Sequence, residues 1–178
     1  MVRCFIGFIL PEEIKDKVVV IEKRMFDLRM ECKMVERNNL HLCLSFLGDV
    51  DGKDVGGITN NLDEVCSKHK KLVFDLPSIR FIPNENRIRV IGLDCASKDL
   101  ESLRKDIESV VGGDSKPLHI TLCRVKKMED RENVVNNLKS MCIDVGKVEM
   151  SSIQLIKSEL GGPSAIYDIL YESRLSTV

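Results

Sequence analysis

The sequence is poor in aromatic residues, with no Trp, two Tyr and six Phe among 178 residues. It therefore offers no evident stacking platform of the kind that proteins use to bind single-stranded nucleic acid. The formal net charge of −1 gives no overall attraction to nucleic acid, so a polyanion would have to meet a local positive cleft. With only three histidines, any imidazole chemistry depends on very few positions.

The seven cysteines include no CxxC pair and no Cys/His spacing typical of zinc sites. No apolar run is long enough to cross a membrane, and nothing resembles a signal peptide. These absences favour a cytoplasmic protein without a metal site, in which most cysteines are small buried side chains. Because 43% of the residues are hydrophobic, residues 1–178 can bury the core of a single domain.

Strands and amphipathic helices alternate along the chain. Apolar residues recur at spacings of three and four in four segments, which predicts helices over 12–29, 54–68, 98–111 and 130–139. Strands are predicted over 3–9, 32–35, 41–47, 72–76 continuing into 79–82, 87–93, 118–125, 147–156 and 165–171. Each half of the chain has a similar order of elements, which predicts an α+β fold of two similar lobes.

One pattern occurs once in each half, as His41-Leu42-Cys43-Leu44 and His119-Ile120-Thr121-Leu122. Successive side chains of a strand point to opposite faces, so each histidine shares a face with the residue two positions later. We therefore expect two imidazoles to face each other across a cleft between the lobes. Strict alternation also predicts that Arg124 points away from His119 and that Phe46 lies in the core, opposite His41. The third histidine, His69, is expected to be a solvated cation at a helix end.

Two facing imidazoles suit in-line displacement at phosphorus. Because histidine has a pKa near 6.5, one imidazole can take a proton from attacking water while the other protonates the leaving ribose oxygen. The hydroxyl of Thr121 can donate to a phosphate oxygen, and no metal is required. The alternative is that both histidines are structural residues in half-buried strands.

The paired segments resemble the His-x-Thr/Ser-x signatures of the 2H phosphoesterase superfamily. Within it they are most similar to the RNA 2′,3′-cyclic phosphodiesterases, historically called 2′-5′ RNA ligases, and the likeness covers nearly the whole chain. The resemblance implies a bilobal α+β fold, with two pseudo-symmetric antiparallel-sheet lobes, helices outside and a central cleft. It also implies metal-independent opening of an RNA 2′,3′-cyclic phosphate to a 2′-phosphomonoester, or the reverse joining of RNA ends through a 2′-5′ linkage.

By that resemblance His41 and His119 are catalytic, Cys43, Thr121 and Arg124 bind the substrate, and no cofactor is used. We assign the base to His119 and the acid to His41, although the sequence itself does not distinguish them. The implied partner is RNA with a 2′,3′-cyclic phosphate end, tRNA fragments being one candidate, and the protein is expected to be a monomer. Further basic residues are candidate contacts for RNA phosphates: Arg3, Arg87, Arg89, Lys116, Lys126 and Lys127.

The chain departs from the family pattern in three places. Cys43 stands where the family has Thr or Ser, and a thiol is a weaker donor than a hydroxyl. Ser45 replaces a basic residue that relatives often have, and no aromatic residue follows Arg89-Val90. Two alternatives therefore stay open: a nucleophilic thiolate at Cys43, and an RNA-end-binding protein whose catalysis has decayed.

Overall fold

The computed structural model describes residues 1–95, 97–114, 116–162 and 164–177, apart from the side chain of Leu160. The described strands are β1 (Val2–Ile9), β2 (Met30–Met34), β3 (His41–Val50), β4 (Leu72–Phe74), β5 (Ile79–Asn84), β6 (Arg87–Asp94), β7 (His119–Met128), β8 (Val148–Met150), β9 (Ser152–Leu160) and β10 (Ala165–Arg174). The helices are α1 (Glu12–Arg24), α2 (Val55–Lys68), α3 (Lys98–Val111) and α4 (Arg131–Ser140), with short 3₁₀ turns at Arg37–Asn39 and Gly52–Asp54. No helix in these ranges is long and apolar enough to span a membrane.

Eight strands form one antiparallel sheet in the order β10-β9-β1-β3-β7-β6-β5, with β2 also paired to β7. We call β10, β9, β1 and β3 the first lobe, and β5, β6, β7 and β2 the second. The lobes join where β3 meets β7, at the single register pair Leu42–Ile120. The remaining strands, β4 and β8, form a separate two-stranded sheet. The expectation of an α+β fold with two antiparallel lobes is confirmed.

The helices cover one face of this sheet because each has one apolar side. Ile14 and Val18 of α1 belong to the same buried cluster as Leu100 and Leu103 of α3, and alternate strand residues such as Ile6 join them. Ser97 begins α3 as its N-cap, accepting a hydrogen bond from the backbone N–H of Leu100 at 3.4 Å. The opposite face of the sheet is left to form the cleft.

Four predicted boundaries differ from the structure. Helix α1 ends at Arg24, five residues early, because the backbone N–H groups of Met25 and Phe26 bond carbonyls three residues back and turn the chain toward β2. The segment 147–156 is two strands, since β8 pairs with β4 whereas β9 pairs with β1. Likewise β4 and β5 lie in different sheets. Strand β3 continues to Val50, because Gly48 adopts φ +71°, a conformation that favours glycine.

A β-bulge follows each histidine motif and changes which face the later residues occupy. In β3, Cys43 pairs with Gly7 but Ser45 pairs with Ile6, so Leu44 is an extra residue. In β7, Thr121 pairs with Gly92 but Cys123 pairs with Ile91, so Leu122 is extra.

Each bulge places the residue five positions after the histidine on the histidine's own face. Both predictions from strict alternation were therefore wrong: Arg124 shares the cleft face with His119, and Phe46 shares it with His41. Arg89, which comes one residue before the register partner of Arg124, falls on the other face.

Candidate active site

Both histidines are the first residues of their strands and are held in the same way. The Nδ1–H of His41 donates to the carbonyl of Asn39 at 2.7 Å, and the Nδ1–H of His119 donates to the carbonyl of Pro117 at 2.6 Å. In each case the acceptor lies two residues before the histidine. Because a carbonyl can only accept, Nδ1 carries a proton, and the Nε2 atom of each neutral ring keeps a free lone pair.

The surroundings lower the pKa of both histidines. Burial lowers the pKa of His41, while the Asn39 carbonyl raises it, and the charges of His119 and Arg124 lower it further. Burial also lowers the pKa of His119, against the Pro117 carbonyl, together with the charges of Arg80, Lys116 and Arg124. Each imidazole is therefore held closer to its neutral form than in water, and the two rings are near enough to interact electrostatically.

The residue two positions after each histidine differs between the lobes. Thr121 is half-buried on the cleft face, and its hydroxyl makes no hydrogen bond to any residue in the described ranges. Cys43 occupies the equivalent position in β3, where burial raises the pKa of its thiol to about 11. The thiol is therefore neutral at physiological pH, which disfavours the nucleophilic thiolate.

A glycine stands opposite each of these residues in the neighbouring strand. An added Cβ at Gly7 would lie 2.6 Å from the carbonyl oxygen of Leu42, and one at Gly92 would lie 2.6 Å from that of Ile120. Gly92 is also next to His119, whose Cδ2 atom would be 3.2 Å from the added Cβ. The two glycines therefore let β1 and β6 approach the histidine strands closely. Neither glycine could be singled out from the sequence, because their function depends on the register.

Arg124 is the cation that the bulge in β7 brings into the cleft. Its charge lowers the pKa of both catalytic candidates, and among the residues that the structure describes no carboxylate pairs with it. Phe46, its counterpart in β3, is stacked beneath the guanidinium of Arg3, 4.9 Å from the ring centroid. The cleft thus has an unpaired arginine on one side and an arginine–aromatic stack on the other.

Aromatic side chains surround His41, contrary to the expectation from composition. The His41 ring lies 4.8 Å from Phe5 and 5.2 Å from Tyr167, and Phe5 and Tyr167 contact each other edge to face at 5.1 Å. Burial raises the pKa of the Tyr167 phenol, so it stays protonated. Phe5 is also the register partner of Phe46 across β1 and β3. The sequence could have indicated this cluster only through the alternation of Arg3 and Phe5, since Tyr167 comes from the distant β10.

The chain matches a known family at the level of sequence. Residues 9–92 match the family model described as LigT like Phosphoesterase. A relative from Aquifex aeolicus, named RNA 2′,3′-cyclic phosphodiesterase, is 30% identical over 97% of this chain and 96% of its own length. The chain is a LigT-like phosphoesterase. A second relative with the same name, from Methanocaldococcus jannaschii, is also 30% identical, over 96% of this chain and 99% of its own length.

Solved structures support the fold. The TT0787 protein of Thermus thermophilus superposes with a TM-score of 0.83 at 21% identity, with 97% of each chain covered. The apo form of E. coli LigT gives a TM-score of 0.81 at 20% identity, with 98% of each chain covered. The bilobal LigT-like fold is therefore confirmed.

The remaining departures from the family pattern have structural explanations. Ser45 is fully buried on the helix side of β3, where its hydroxyl donates to the Gly112 carbonyl at 2.8 Å. Gly113, with φ +103°, passes so close that an added Cβ would lie 2.2 Å from the Ser45 Oγ. Ser45 therefore holds the loop after α3 and does not face the cleft. The residue that follows Arg89-Val90 is the fully buried Ile91, and the next cleft-facing position is Gly92.

Two of the other basic candidates and the third histidine are paired with carboxylates. Lys126 pairs with Glu31 at 3.2 Å, and Lys127 with Glu129 at 4.0 Å. His69 lies at the end of α2 as expected but is not solvated: its Nε2 lies 2.7 Å from the carboxylate of Asp106 on α3, and its side chain is 12% exposed. Within the described part of the chain, no three Asp, Glu, His or Cys side chains come together as a metal site would require.

Proposed function

We propose that this phosphoesterase hydrolyses a 2′,3′-cyclic phosphate at an RNA 3′ end to a 2′-phosphomonoester, using His41 and His119 without a metal. The observation that carries the proposal is the matched pair of histidines, each with its Nδ1–H bound to a carbonyl and its Nε2 without a partner among the described residues. The names of the Aquifex and Methanocaldococcus relatives supply the substrate class.

The unequal surroundings of the two histidines support an assignment of one as the acid and the other as the base. A nucleoside would stack on the half-buried ring of Tyr167, which lies beside His41 and packs against the buried ring of Phe5. The leaving 3′ oxygen belongs to that nucleoside, so the neighbouring imidazole is the acid. We therefore assign the acid to His41 and the base to His119, on the far side of the phosphorus.

In the proposed reaction His119 Nε2 takes a proton from water as the water oxygen attacks phosphorus. The bond from phosphorus to O3′ breaks, and His41 Nε2–H gives its proton to O3′. The negative phosphate raises the pKa of His41 when it enters the cleft, which opposes the lowering by burial and allows His41 to bind this proton.

Thr121 and Arg124 are the proposed phosphate-binding residues. The Thr121 hydroxyl donates to a non-bridging oxygen, and the unpaired Arg124 guanidinium compensates the phosphate charge. Cys43 lies at the corresponding place in the first lobe, where its S–H is a weaker donor. Cleavage of tRNA fragments, the monomeric state and a cytoplasmic location stay predictions from the sequence.

The test is incubation with an oligoribonucleotide that ends in a 2′,3′-cyclic phosphate, in EDTA, with identification of the phosphomonoester product. We expect a 2′-phosphate, and a loss of about 10²–10⁴-fold in kcat for His41→Ala and for His119→Ala. His69→Ala is the matched control, because His69 lies outside the cleft. Binding of this RNA without turnover by the wild-type chain would instead indicate a decayed, RNA-end-binding protein.

A further inference from the structure

Arg3 and Phe46 form a stacked pair on the cleft side of the first lobe, and the proposed reaction uses neither side chain. The guanidinium carbon of Arg3 lies 4.9 Å from the centroid of the Phe46 ring. The ring is half-buried, whereas Arg3 is exposed to solvent. The ring therefore gives the arginine a defined position while the N–H donors of the guanidinium stay accessible.

No carboxylate neutralises Arg3 in the part of the chain that the structure describes. Its register partner across β1 and β3 is Asp49, but the two side chains form no ion pair. Lys157 on the neighbouring strand β9, by contrast, pairs with Glu159 and with Asp168. The charge of Arg3 is therefore available to an anion that comes from outside the protein.

Arg3 lies one step along β1 from the residues that surround His41. Because it is two residues from Phe5 and the bulges between β1 and β3 place their extra residues in β3, Arg3 and Phe5 share the cleft face. The Phe5 ring contacts both His41 and Tyr167, at 4.8 Å and 5.1 Å. Two residues of a strand span about 6.5 Å. The stacked pair therefore borders the place proposed for the terminal nucleoside.

The electrostatics agree with this position. Burial raises the pKa of the Tyr167 phenol, and the charge of Arg3 acts in the opposite direction together with that of Arg124. Arg3 and Arg124 therefore act on the same tyrosine, one from each lobe.

An RNA end continues from its terminal nucleoside through a phosphodiester at O5′. When the terminal base is on Tyr167 and the cyclic phosphate is between the histidines, this phosphodiester is the next charged group along the strand. Its two non-bridging oxygens share one negative charge, and the forked N–H donors of an arginine match such a pair of acceptors. A mononucleoside 2′,3′-cyclic phosphate lacks this group.

We propose that Arg3, held on the ring of Phe46, binds the phosphodiester on the 5′ side of the terminal nucleotide. The enzyme then selects the ends of RNA strands over mononucleoside 2′,3′-cyclic phosphates. The proposal rests on the proposed function and adds a second phosphate subsite to the one assigned to Thr121 and Arg124. Arg3 contacts no reacting bond, so it determines specificity, and Phe46 is its positioning residue.

The test compares three substrates: adenosine 2′,3′-cyclic phosphate, its 5′-phosphorylated form, and a diadenosine dinucleotide that ends in a 2′,3′-cyclic phosphate. We expect kcat/KM for each of the two larger substrates to exceed that for the first by about tenfold or more, because a charge-assisted contact is gained. The 5′-phosphorylated compound carries a phosphate without a penultimate nucleoside. It therefore separates binding of the phosphate from stacking of a second base.

Arg3→Gln should lower this preference for the larger substrates by about tenfold, mainly through KM. Arg89→Gln is the matched control, because Arg89 is also exposed and without an ion pair to a described residue but lies on the other face of the sheet. Added salt should reduce the preference of the wild-type enzyme and leave that of Arg3→Gln unchanged, since salt screens an exposed charge. Hydrolysis of adenosine 2′,3′-cyclic phosphate reports the amount of folded, active enzyme in each sample.

Phe46→Leu tests the positioning function of the ring. It keeps an apolar side chain but removes the ring beneath Arg3, so KM for the 5′-phosphorylated compound should rise about threefold while kcat is retained. A structural defect alone would lower kcat for all three substrates, and an unchanged KM would overturn the function of Phe46.

The outcomes separate this subsite from the proposed function. Equal kcat/KM for the three substrates, or an equal loss on all three in Arg3→Gln, would overturn the subsite while leaving hydrolysis in place. A preference for the dinucleotide that the 5′-phosphorylated compound does not share would also overturn it, because the second base and not the phosphate would then be bound. If the wild-type chain hydrolyses none of the three, the proposed function itself is wrong, and the subsite is overturned with it.

Discussion

The two lobes hold their histidines identically but surround them differently. Around His41 the structure places the rings of Phe5 and Tyr167, whereas the charges that act on His119 come from Arg80, Lys116 and Arg124. The position two residues later is a buried thiol in the first lobe and a hydroxyl in the second. The position five residues later, brought into the cleft by a bulge in both strands, is Phe46 in the first and Arg124 in the second.

The backbone features that both lobes share set the positions of the two imidazoles, whereas the side chains that differ between the lobes set their surroundings. The repeated strand, bulge and glycine place two equivalent imidazoles in a symmetric cleft. A symmetric cleft would have no preferred direction for in-line displacement. In the proposed mechanism the unequal side chains give it one, with an aromatic side for the nucleoside and a polar side for the phosphate and the attacking water.

Among the variants that compare the two lobes, the largest expected effect tests the difference between the hydroxyl and the thiol. Thr121→Val should lower kcat/KM for the cyclic-phosphate RNA by about 10²–10³-fold, as expected for the loss of one donor to a phosphate oxygen. Cys43→Ala should cost less than about tenfold, because a neutral thiol is a weak donor. Equal losses in the two variants would mean that the lobes contribute equally to phosphate binding.

The paired glycines give the next effect. Gly92→Ala and Gly7→Ala should each lower the free energy of unfolding by about 1–3 kcal/mol, since the added methyl group meets a backbone carbonyl. Gly92→Ala should also lower kcat by about tenfold or more, because the displaced neighbour includes the His119 ring. Urea unfolding and steady-state kinetics measure the two quantities.

Gly57→Ala, in α2, is the control for the glycine variants, because an added Cβ there meets nothing within 4 Å. An equal loss of kcat in Gly7→Ala and Gly92→Ala would show that β1 and β6 affect catalysis only through overall stability.

The sequence was sufficient for the fold class and for placing the two histidines in matched strands, because both depend on local patterns. Apolar periodicity predicts the helices, and the repeated motif predicts that His41 and His119 form a pair. The faces of Arg124 and Phe46 were predicted wrongly, since each depends on a bulge whose extra residue, Leu44 or Leu122, is an ordinary leucine in the sequence. Pairing with the neighbouring strand, which local alternation does not contain, decides which face these residues occupy.

The aromatic cluster of Phe5 and Tyr167 around His41 could not be predicted either, and the reason is different. Tyr167 reaches His41 from β10, more than 120 residues later in the chain, and this contact depends on the order of strands in the sheet. Low aromatic content therefore did not mean that the cleft lacks aromatic residues, because three of the eight, Phe5, Phe46 and Tyr167, lie around it. Tyr167 provides the third prediction.

Tyr167→Ala should raise KM for the RNA substrate by about tenfold, since stacking of one base contributes about 1–3 kcal/mol. Tyr167→Phe should change KM little, because the ring is retained. The second lobe has no aromatic counterpart on the cleft face of β6, where Gly92 stands. If Tyr167→Phe is as defective as Tyr167→Ala, the phenol hydroxyl and not the ring is the functional group.

The charge of Arg124 lowers the pKa of the histidine in each lobe, and the pH profile of kcat/KM measures this effect. The pKa values of both histidines lie below the ordinary value near 6.5, so the bell-shaped profile of the wild-type enzyme should have its maximum below that pH. Removing a positive charge makes both imidazolium ions easier to form. Arg124→Gln should therefore raise both pKa values and move the profile to higher pH.

Lys147→Gln removes the same charge from the separate sheet of β4 and β8, where Lys147 pairs with Asp75, and should leave the profile in place. NMR titration of the two imidazoles would measure the same shift directly. A profile for Arg124→Gln that stays fixed or moves to lower pH would contradict the electrostatic effect of Arg124 on the two histidines.

The smallest effect, and the one that makes the lobes more alike, is expected for Cys43→Thr. A hydroxyl in place of the thiol supplies a stronger donor at the same position, so kcat/KM should rise by about threefold. The gain is small because Thr121 and Arg124 already bind the phosphate in the proposed mechanism. A rise confined to the cyclic-phosphate substrate, with unchanged urea unfolding, would assign the effect to phosphate binding. Abolished turnover in a folded Cys43→Thr variant would instead require a direct function for the thiol, despite the raised pKa that keeps it protonated.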